Sequence, residues 1–189
     1  MTVAVERIGS ISEPKSEESL YRGETRLPED LRDWVNEATL IQLISRAVQE
    51  IKEGEDPKAL PGFWDLLLGL LTYSYATGTY LSSEIESRLL ERPGIADRCA
   101  ATFGNSPPEQ IIRRFRRIHR ASLKQCLVHV FGAAWEMVSS PDREYCGNYR
   151  IRSSPTANFA PAHETPDFDT AAEERIGHAV LLDCITSDF

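Results

Sequence analysis

The sequence predicts an all-α fold: a compact helical bundle with a helix-turn-helix-like core, one long arginine-rich helix, and flexible N- and C-terminal tails. Three observations predict it. Apolar residues recur at three- and four-residue steps, start and stop signals bound those segments, and no stretch alternates with the two-residue period of a strand. With 189 residues, 41% of them hydrophobic and 26% charged, the composition is that of one globular domain.

The apolar pattern divides the chain into three parts. Residues 1–26 are rich in Glu, Ser and Lys, and because they offer few apolar anchors we expect a disordered tail. Residues 27–138 hold the helical domain. Residues 139–189 are expected to form an irregular linker with a short helix over about 170–185, which either docks on the core or binds a partner.

The first two helices of the domain differ in how their apolar residues are distributed. The first follows Pro28, has one apolar side and ends around Gly54. The second lies within 61–78 and is apolar on nearly all sides, which predicts the central helix of the core. Its apolar stretch contains Asp65 and is shorter than the roughly 18–20 residues that span a bilayer, so no membrane contact is expected.

Capping boxes of the form Ser/Thr-x-x-Glu predict three further helix starts. They are Ser83 with Glu86, Ser106 with Glu109, and Thr170 with Glu173. The Ser106 box is the best start signal in the chain, because Pro107 suits the first helical position, where its missing N–H costs nothing. It predicts one long helix from Pro107 to Val138.

The long helix carries the one concentrated basic surface of an acidic sequence. Its basic residues are Arg113, Arg114, Arg116, Arg117, Arg120 and Lys124. Counted with Glu109, this stretch has a charge of +5, so the remainder sums to −13 within the total of −8. Guanidinium groups in a row on a helix suit phosphate oxygens, so these six residues are the predicted contacts to the backbone of duplex DNA.

An alternative interpretation is that neighbouring helices supply carboxylates that form salt bridges with this basic face. The acidic candidates are Glu29, Asp30, Glu84, Glu86 and Glu91. The bundle would then be a protein-interaction or dimerisation module, and its partner would be another protein or a second copy of the chain. The charge of −8 limits any contact with DNA to a local one.

Three segments, in this order, carry a resemblance to a known family. They are Pro61-Gly-Phe-Trp-Asp-Leu-Leu-Leu-Gly-Leu-Leu-Thr-Tyr-Ser-Tyr-Ala-Thr-Gly78, Leu81-Ser-Ser-Glu-Ile-Glu86 and Ile112-Arg-Arg-Phe-Arg-Arg-Ile-His-Arg120. Over roughly residues 28–132 the chain resembles the N-terminal helical domain of bacterial insertion-sequence transposases of the DDE type. It departs from that family at Phe103-Gly104-Asn105, where a Cys-Gly or Gly-Gly loop usually precedes the arginine helix.

The resemblance implies a DNA-recognition domain. In that family a ribonuclease-H-like catalytic domain normally follows and holds divalent metal on three acidic residues. Here only about fifty residues follow Val138, and they contain no succession of apolar strands that could hold such ligands. The expected function is therefore a stand-alone DNA-binding module, a truncated or reused transposase, that is not an enzyme and has no strand-transfer activity of its own.

No other group of residues predicts a site. Cys126 and His129 have a spacing that can serve a metal, but without a second ligand pair a buried thiol in a helix interface is favoured. The three tryptophans are expected to pack in the core. No catalytic residue, cofactor, metal or small-molecule substrate is expected. Four irregularly spaced cysteines without a secretory leader indicate reduced thiols in a cytoplasmic protein.

Overall fold

The computed structural model describes residues 27–54, 63–90, 107–139 and 165–187. Their regular structure consists of one 3-10 turn, Leu31–Asp33, and six α-helices. The helices are α1 (Glu37–Gly54), α2 (Trp64–Ala76), α3 (Ser82–Leu90), α4 (Glu109–Ile118), α5 (Arg120–Ser139) and α6 (Phe168–Ser187). The described ranges contain no strand, so the prediction of an all-α bundle is confirmed.

Helix α2 lies at the centre of the bundle, where it packs against α1, α4 and α5. Ten of its 13 residues are buried, among them Trp64, Leu67, Leu71 and Tyr75. A helix that is apolar on nearly all sides can bury its side chains only if other helices surround it. Burial of each large apolar side chain contributes about 1.5–3 kcal/mol to the stability of the fold. The predicted central helix is thus confirmed. None of the described helices is both long and apolar enough to cross a membrane.

Helix α1 begins later than the apolar pattern suggests. The Asp30 carboxylate accepts from the backbone N–H of Arg32 at 2.9 Å and starts the 3-10 turn. The Asn36 side chain then accepts from the N–H of Thr39 at 2.9 Å, which caps α1. The apolar spacing is continuous over this segment. The segment nevertheless forms two elements, the 3-10 turn and α1, each of which starts at its own capping side chain.

The turn between α2 and α3 depends on Gly78, whose φ of +73° is the left-handed conformation that glycine adopts without strain. The N–H of Thr79 donates to the carbonyl of Ser74 at 2.8 Å and closes the end of α2. Helix α3 then begins at Ser82, with the Leu81 carbonyl accepting from Ile85. Ser83, the cap that the capping box predicts, is therefore the second residue of the helix.

The prediction of a single arginine-rich helix is wrong, because α4 and α5 are separate helices on either side of His119. Its backbone has φ −107° and ψ 31°, outside the helical range, while its Nδ1 accepts from the Trp64 indole N–H at 3.2 Å. The interruption is local: the N–H of His119 still donates to Phe115, and its carbonyl accepts from Leu123. Helix α4 starts at Glu109 with Pro108 at the N-cap, and Ser106 lies outside the described residues.

Helix α6 is longer than the predicted 170–185 helix and docks on the core beside α5. Its start is set by Asp167, whose carboxylate accepts from the N–H groups of Asp169 and Thr170 at 3.1 and 3.0 Å. Ala172, Ile176 and Ala179 are fully buried on its inner side. Of the two predicted roles of this helix, docking is the one observed, so the bundle extends past residue 138. The expected N-terminal tail, 1–26, and most of the expected linker, 140–164, lie outside the described residues.

Replacing Gly78 by Ala should lower the free energy of unfolding by about 1–2 kcal/mol, because a Cβ is strained at this φ. That Cβ would also lie 3.2 Å from Cγ of Glu29. The control is Gly177→Ala in α6, where no atom lies within 4 Å of the added Cβ and the change should stabilise by about 0.5–1 kcal/mol. Urea unfolding measures both changes, and equal effects at the two sites would contradict the account of the turn.

Candidate functional site

The six predicted DNA contacts lie on α4 and the first turns of α5, but the structure gives them three different environments. Arg114 and Arg117 are exposed, and neither has an ion-pair or hydrogen-bond partner among the described residues. Arg120 and Lys124 form ion pairs at the surface. Arg113 and Arg116 point towards the bundle interior. The six side chains, which the sequence predicts to act as one DNA-contact surface, therefore differ in burial and in ion pairing.

Arg116 is buried, with 3% of its surface exposed, and is held by groups from two other helices. Its Nη1 donates to the Tyr75 hydroxyl at 2.9 Å, and its Nη2 donates to the Asp183 carboxylate. Asp183 also accepts from the N–H and the hydroxyl of Ser82 at 3.0 and 2.6 Å. We call Arg116, Asp183, Tyr75 and Ser82 the Asp183 network. It joins α4, α6, α2 and the start of α3.

The Asp183 network favours the charged forms of its ion pair. Burial acts to raise the pKa of Asp183, but hydrogen bonds from Ser82 and Arg116 outweigh it, so the pKa is lowered. Burial acts to lower the pKa of Arg116, yet Tyr75 and Asp183 raise it overall. Burial raises the pKa of Tyr75 to about 12, so its phenol stays neutral. The pair is therefore a satisfied buried salt bridge, in which neither charge is left unpaired.

Arg113 borders this network. Its Nη2 pairs with the Glu109 carboxylate one turn earlier on α4, and its Nε lies 3.4 Å from Oδ2 of Asp183. Both partners are acidic groups of the same bundle. The guanidinium groups of Arg113 and Arg116 therefore already have carboxylate partners within the bundle, and neither is available to a phosphate as an unpaired cation.

Arg120 and Lys124 meet two carboxylates on the first turns of α6. Arg120 Nε donates to Oε1 of Glu173 at 3.0 Å. Lys124 Nζ lies 2.5 Å from Oδ2 of Asp169 and 4.0 Å from Oε2 of Glu173. The Asp169 carboxylate raises the pKa of Lys124, as an adjacent negative charge must. These four residues form what we call the outer ladder.

The ion pairs seen at the basic face involve acidic residues other than Asp30, Glu84 and Glu91. Among the earlier candidates, Asp30 pairs with Arg32 and Glu84 with Arg88, while Glu91 lies outside the described residues. The partners of the basic face come from Glu109 and from α6 instead. One signal for Asp183 was present in the sequence. It lies four residues after Ala179 and seven after Ile176, on the stripe that α6 buries.

The other residues singled out in the sequence are structural. Cys126 is fully buried, and burial raises the pKa of its thiol to about 11, which confirms the predicted interface thiol. His129 is exposed, with Nδ1 3.4 Å from Glu50. Trp64 is buried, and the rings of Trp34 and Trp135 lie 5.6 Å apart. Across the described ranges, no three His, Cys, Asp or Glu side chains are grouped as metal ligands.

Comparison with known proteins finds no match to this chain among protein-family models, curated proteins or solved structures. The resemblance to the transposase N-terminal domain therefore remains a prediction from the sequence. Any functional proposal depends on the charges and exposure of the basic face itself.

Replacing Asp183 by Asn should lower the free energy of unfolding by about 3–5 kcal/mol, because it leaves the Arg116 charge buried without its counterion. Asp169→Asn removes the same charge from an exposed position and should change it by less than about 1 kcal/mol. Urea unfolding at neutral pH measures both. Similar changes in the free energy of unfolding for the two variants would show that the buried ion pair stabilises the protein no more than an exposed one.

Acid should weaken the wild-type protein in a defined window. In the folded state the pKa of Asp183 is below its ordinary value of 3.8. The contribution of the Asp183 carboxylate to the free energy of unfolding is therefore complete above pH 3.8, and it is lost as the pH falls through the pKa of the folded state. Unfolding measured from pH 6 to pH 2 should therefore show a smaller loss of stability in Asp183→Asn than in wild type. Parallel curves would contradict this assignment.

Proposed function

We propose that this chain is a transposase-like DNA-recognition module that binds the phosphate backbone of duplex DNA and performs no strand transfer itself. The observation that carries the proposal is the pair Arg114 and Arg117. These two guanidiniums are exposed on α4 and have no carboxylate partner among the described residues of a chain whose net charge is −8. In an acidic protein, unpaired adjacent arginines are a local site for an anionic ligand.

The geometry narrows the proposed contact surface. Arg114 and Arg117 are three residues apart, so their side chains are neighbours on one helix surface. Arg120 and Lys124, on the first turns of α5 beyond His119, are the proposed secondary contacts. Arg113 and Arg116 have a positioning role, because their ion pairs with Asp183 fix α4 against the bundle.

The arrangement of helices behind α4 fits the same proposal. Helices α2 and α3 pack against α4, and the turn at Gly78 joins them. In our proposal this pair buttresses α4 in a helix-turn-helix-like manner, as the ordered resemblance implies. Arginine contacts to phosphates fix the position of a protein on DNA and carry little sequence information, so we expect weak sequence preference.

A protein-interaction or dimerisation module is the second candidate. Two observations favour it: four of the six basic residues already have carboxylate partners, and α6 exposes Leu181 and Ile185, which are 58% and 52% accessible. Sedimentation velocity over a hundredfold concentration range distinguishes the two. A concentration-dependent dimer without salt-sensitive DNA binding favours this second candidate.

The double variant Arg114→Glu with Arg117→Glu should remove salt-sensitive binding of a labelled 25-base-pair duplex. For wild type we expect a Kd of about 10⁻⁶ to 10⁻⁴ M near physiological salt, as is typical of non-specific contacts, and tighter binding at lower salt. Fluorescence anisotropy titrations between 25 and 200 mM salt measure it.

The matched control is Arg46→Glu with Lys52→Glu, which makes the same change of charge on the exposed surface of α1. Its pairs with Glu50 and Asp65 are exposed, so the control should fold and should bind nearly as wild type does. The proposal is wrong if wild type fails to bind at low salt, or if both double variants bind alike.

A further inference from the structure

We infer that Asp169 and Glu173 of α6 compete with DNA for Arg120 and Lys124, so that the chain limits the DNA affinity of its own basic face. The inference rests on the proposed function and adds a form of regulation to it. The competing group is part of the same chain, and its two carboxylates occupy the positions that two phosphates would take.

The outer ladder has the geometry that such competition requires. Asp169 and Glu173 are four residues apart on α6, and Arg120 and Lys124 are four residues apart on α5. Each pair of side chains therefore lies one turn apart on its helix, and the helices pack side by side. Both cations thus have an anionic partner: Glu173 at 3.0 Å from Nε of Arg120, and Asp169 at 2.5 Å from Nζ of Lys124.

Exposure separates these ion pairs from the buried one. The side chains of Arg120 and Glu173 are 44% and 43% accessible, and those of Lys124 and Asp169 are 30% and 69% accessible. Arg116 and Asp183 are each only 4% accessible. Water and salt screen exposed pairs, so a phosphate can exchange with the carboxylates of the outer ladder without displacing α6. It cannot reach the buried pair in this way.

Helix α6 does not need Asp169 or Glu173 in order to dock. Its inner side is fixed by the buried Ala172, Ile176 and Ala179, and by Asp183. Its N-terminus is capped by Asp167, which accepts from the backbone of Asp169 and would accept equally from Asn. The carboxylates of the outer ladder can therefore be neutralised while the helix stays in place, which makes the competition testable.

The test is the variant Asp169→Asn with Glu173→Gln, titrated with the same 25-base-pair duplex. Release of two cations adds about two phosphate contacts, which steepens the slope of log K against log salt by about 1.8. At 50 mM salt we expect an increase in affinity of about tenfold over wild type. Circular dichroism and thermal unfolding verify that α6 remains folded.

Two controls separate competition from a general change of charge. Glu136→Gln with Glu174→Gln removes two exposed carboxylates that have no ion pair among the described residues, and should change affinity by less than about threefold. Adding Arg120→Ala and Lys124→Ala to the outer-ladder variant should abolish its gain. If the gain equals that of the control, or survives loss of both cations, the inference is wrong.

The outcomes also separate this inference from the proposed function. Wild-type binding that depends on Arg114 and Arg117, with no gain in Asp169→Asn with Glu173→Gln, overturns the competition and leaves the proposed function standing. If neither wild type nor this variant binds duplex at low salt, both fail. A gain that depends on Arg120 and Lys124 supports the competition, and it supports the proposed function as well only when wild-type binding depends on Arg114 and Arg117.

Discussion

The buried ion pair between Arg116 and Asp183 is the constraint on which the rest of this structure depends. Two charges removed from water are tolerated when they are paired and hydrogen-bonded, and here the Tyr75 hydroxyl accepts from Arg116 while Ser82 donates to Asp183. Because these groups come from four helices, the pair fixes how α4 and α6 are placed together. With Arg116 held inwards, Arg114 and Arg117 lie on the outer side of α4. With Asp183 held inwards, the first turns of α6 reach the start of α5.

The fold class and the core were predictable from sequence because they depend on apolar patterning. Helix α2 is apolar on nearly all sides, and it could only be central. The boundaries were less predictable, because several polar residues compete to cap each helix: Asp167 caps α6 where Thr170 offered the fuller motif. At the division of the arginine helix, His119 accepts from the indole N–H of Trp64, which is 55 residues away in sequence. No local pattern reports such a contact.

The basic face shows the same limit. The sequence predicted six basic residues in a row on one helix, but it could not identify their partners, because Asp183 lies 67 residues from Arg116 and Glu173 lies 53 residues from Arg120. The sequence also predicted that all six basic residues are exposed DNA contacts, whereas Arg116 is buried. The fold therefore divides six similar side chains into a pair held at the buried Asp183, a pair with exposed carboxylate partners, and a pair without a partner among the described residues. Our functional proposals depend on that division and on the net charge of −8.

A double-mutant cycle between Arg116 and Asp183 tests the central claim most directly. Arg116→Met and Asp183→Leu should each lower the free energy of unfolding by about 3–5 kcal/mol, because each leaves one buried charge alone. Together they remove both charges. The loss of stability in the double variant should therefore be smaller than the sum of the two single losses by at least about 2 kcal/mol. Losses that add to within about 0.5 kcal/mol would show that the two residues act independently, and would contradict the account of how α6 is held.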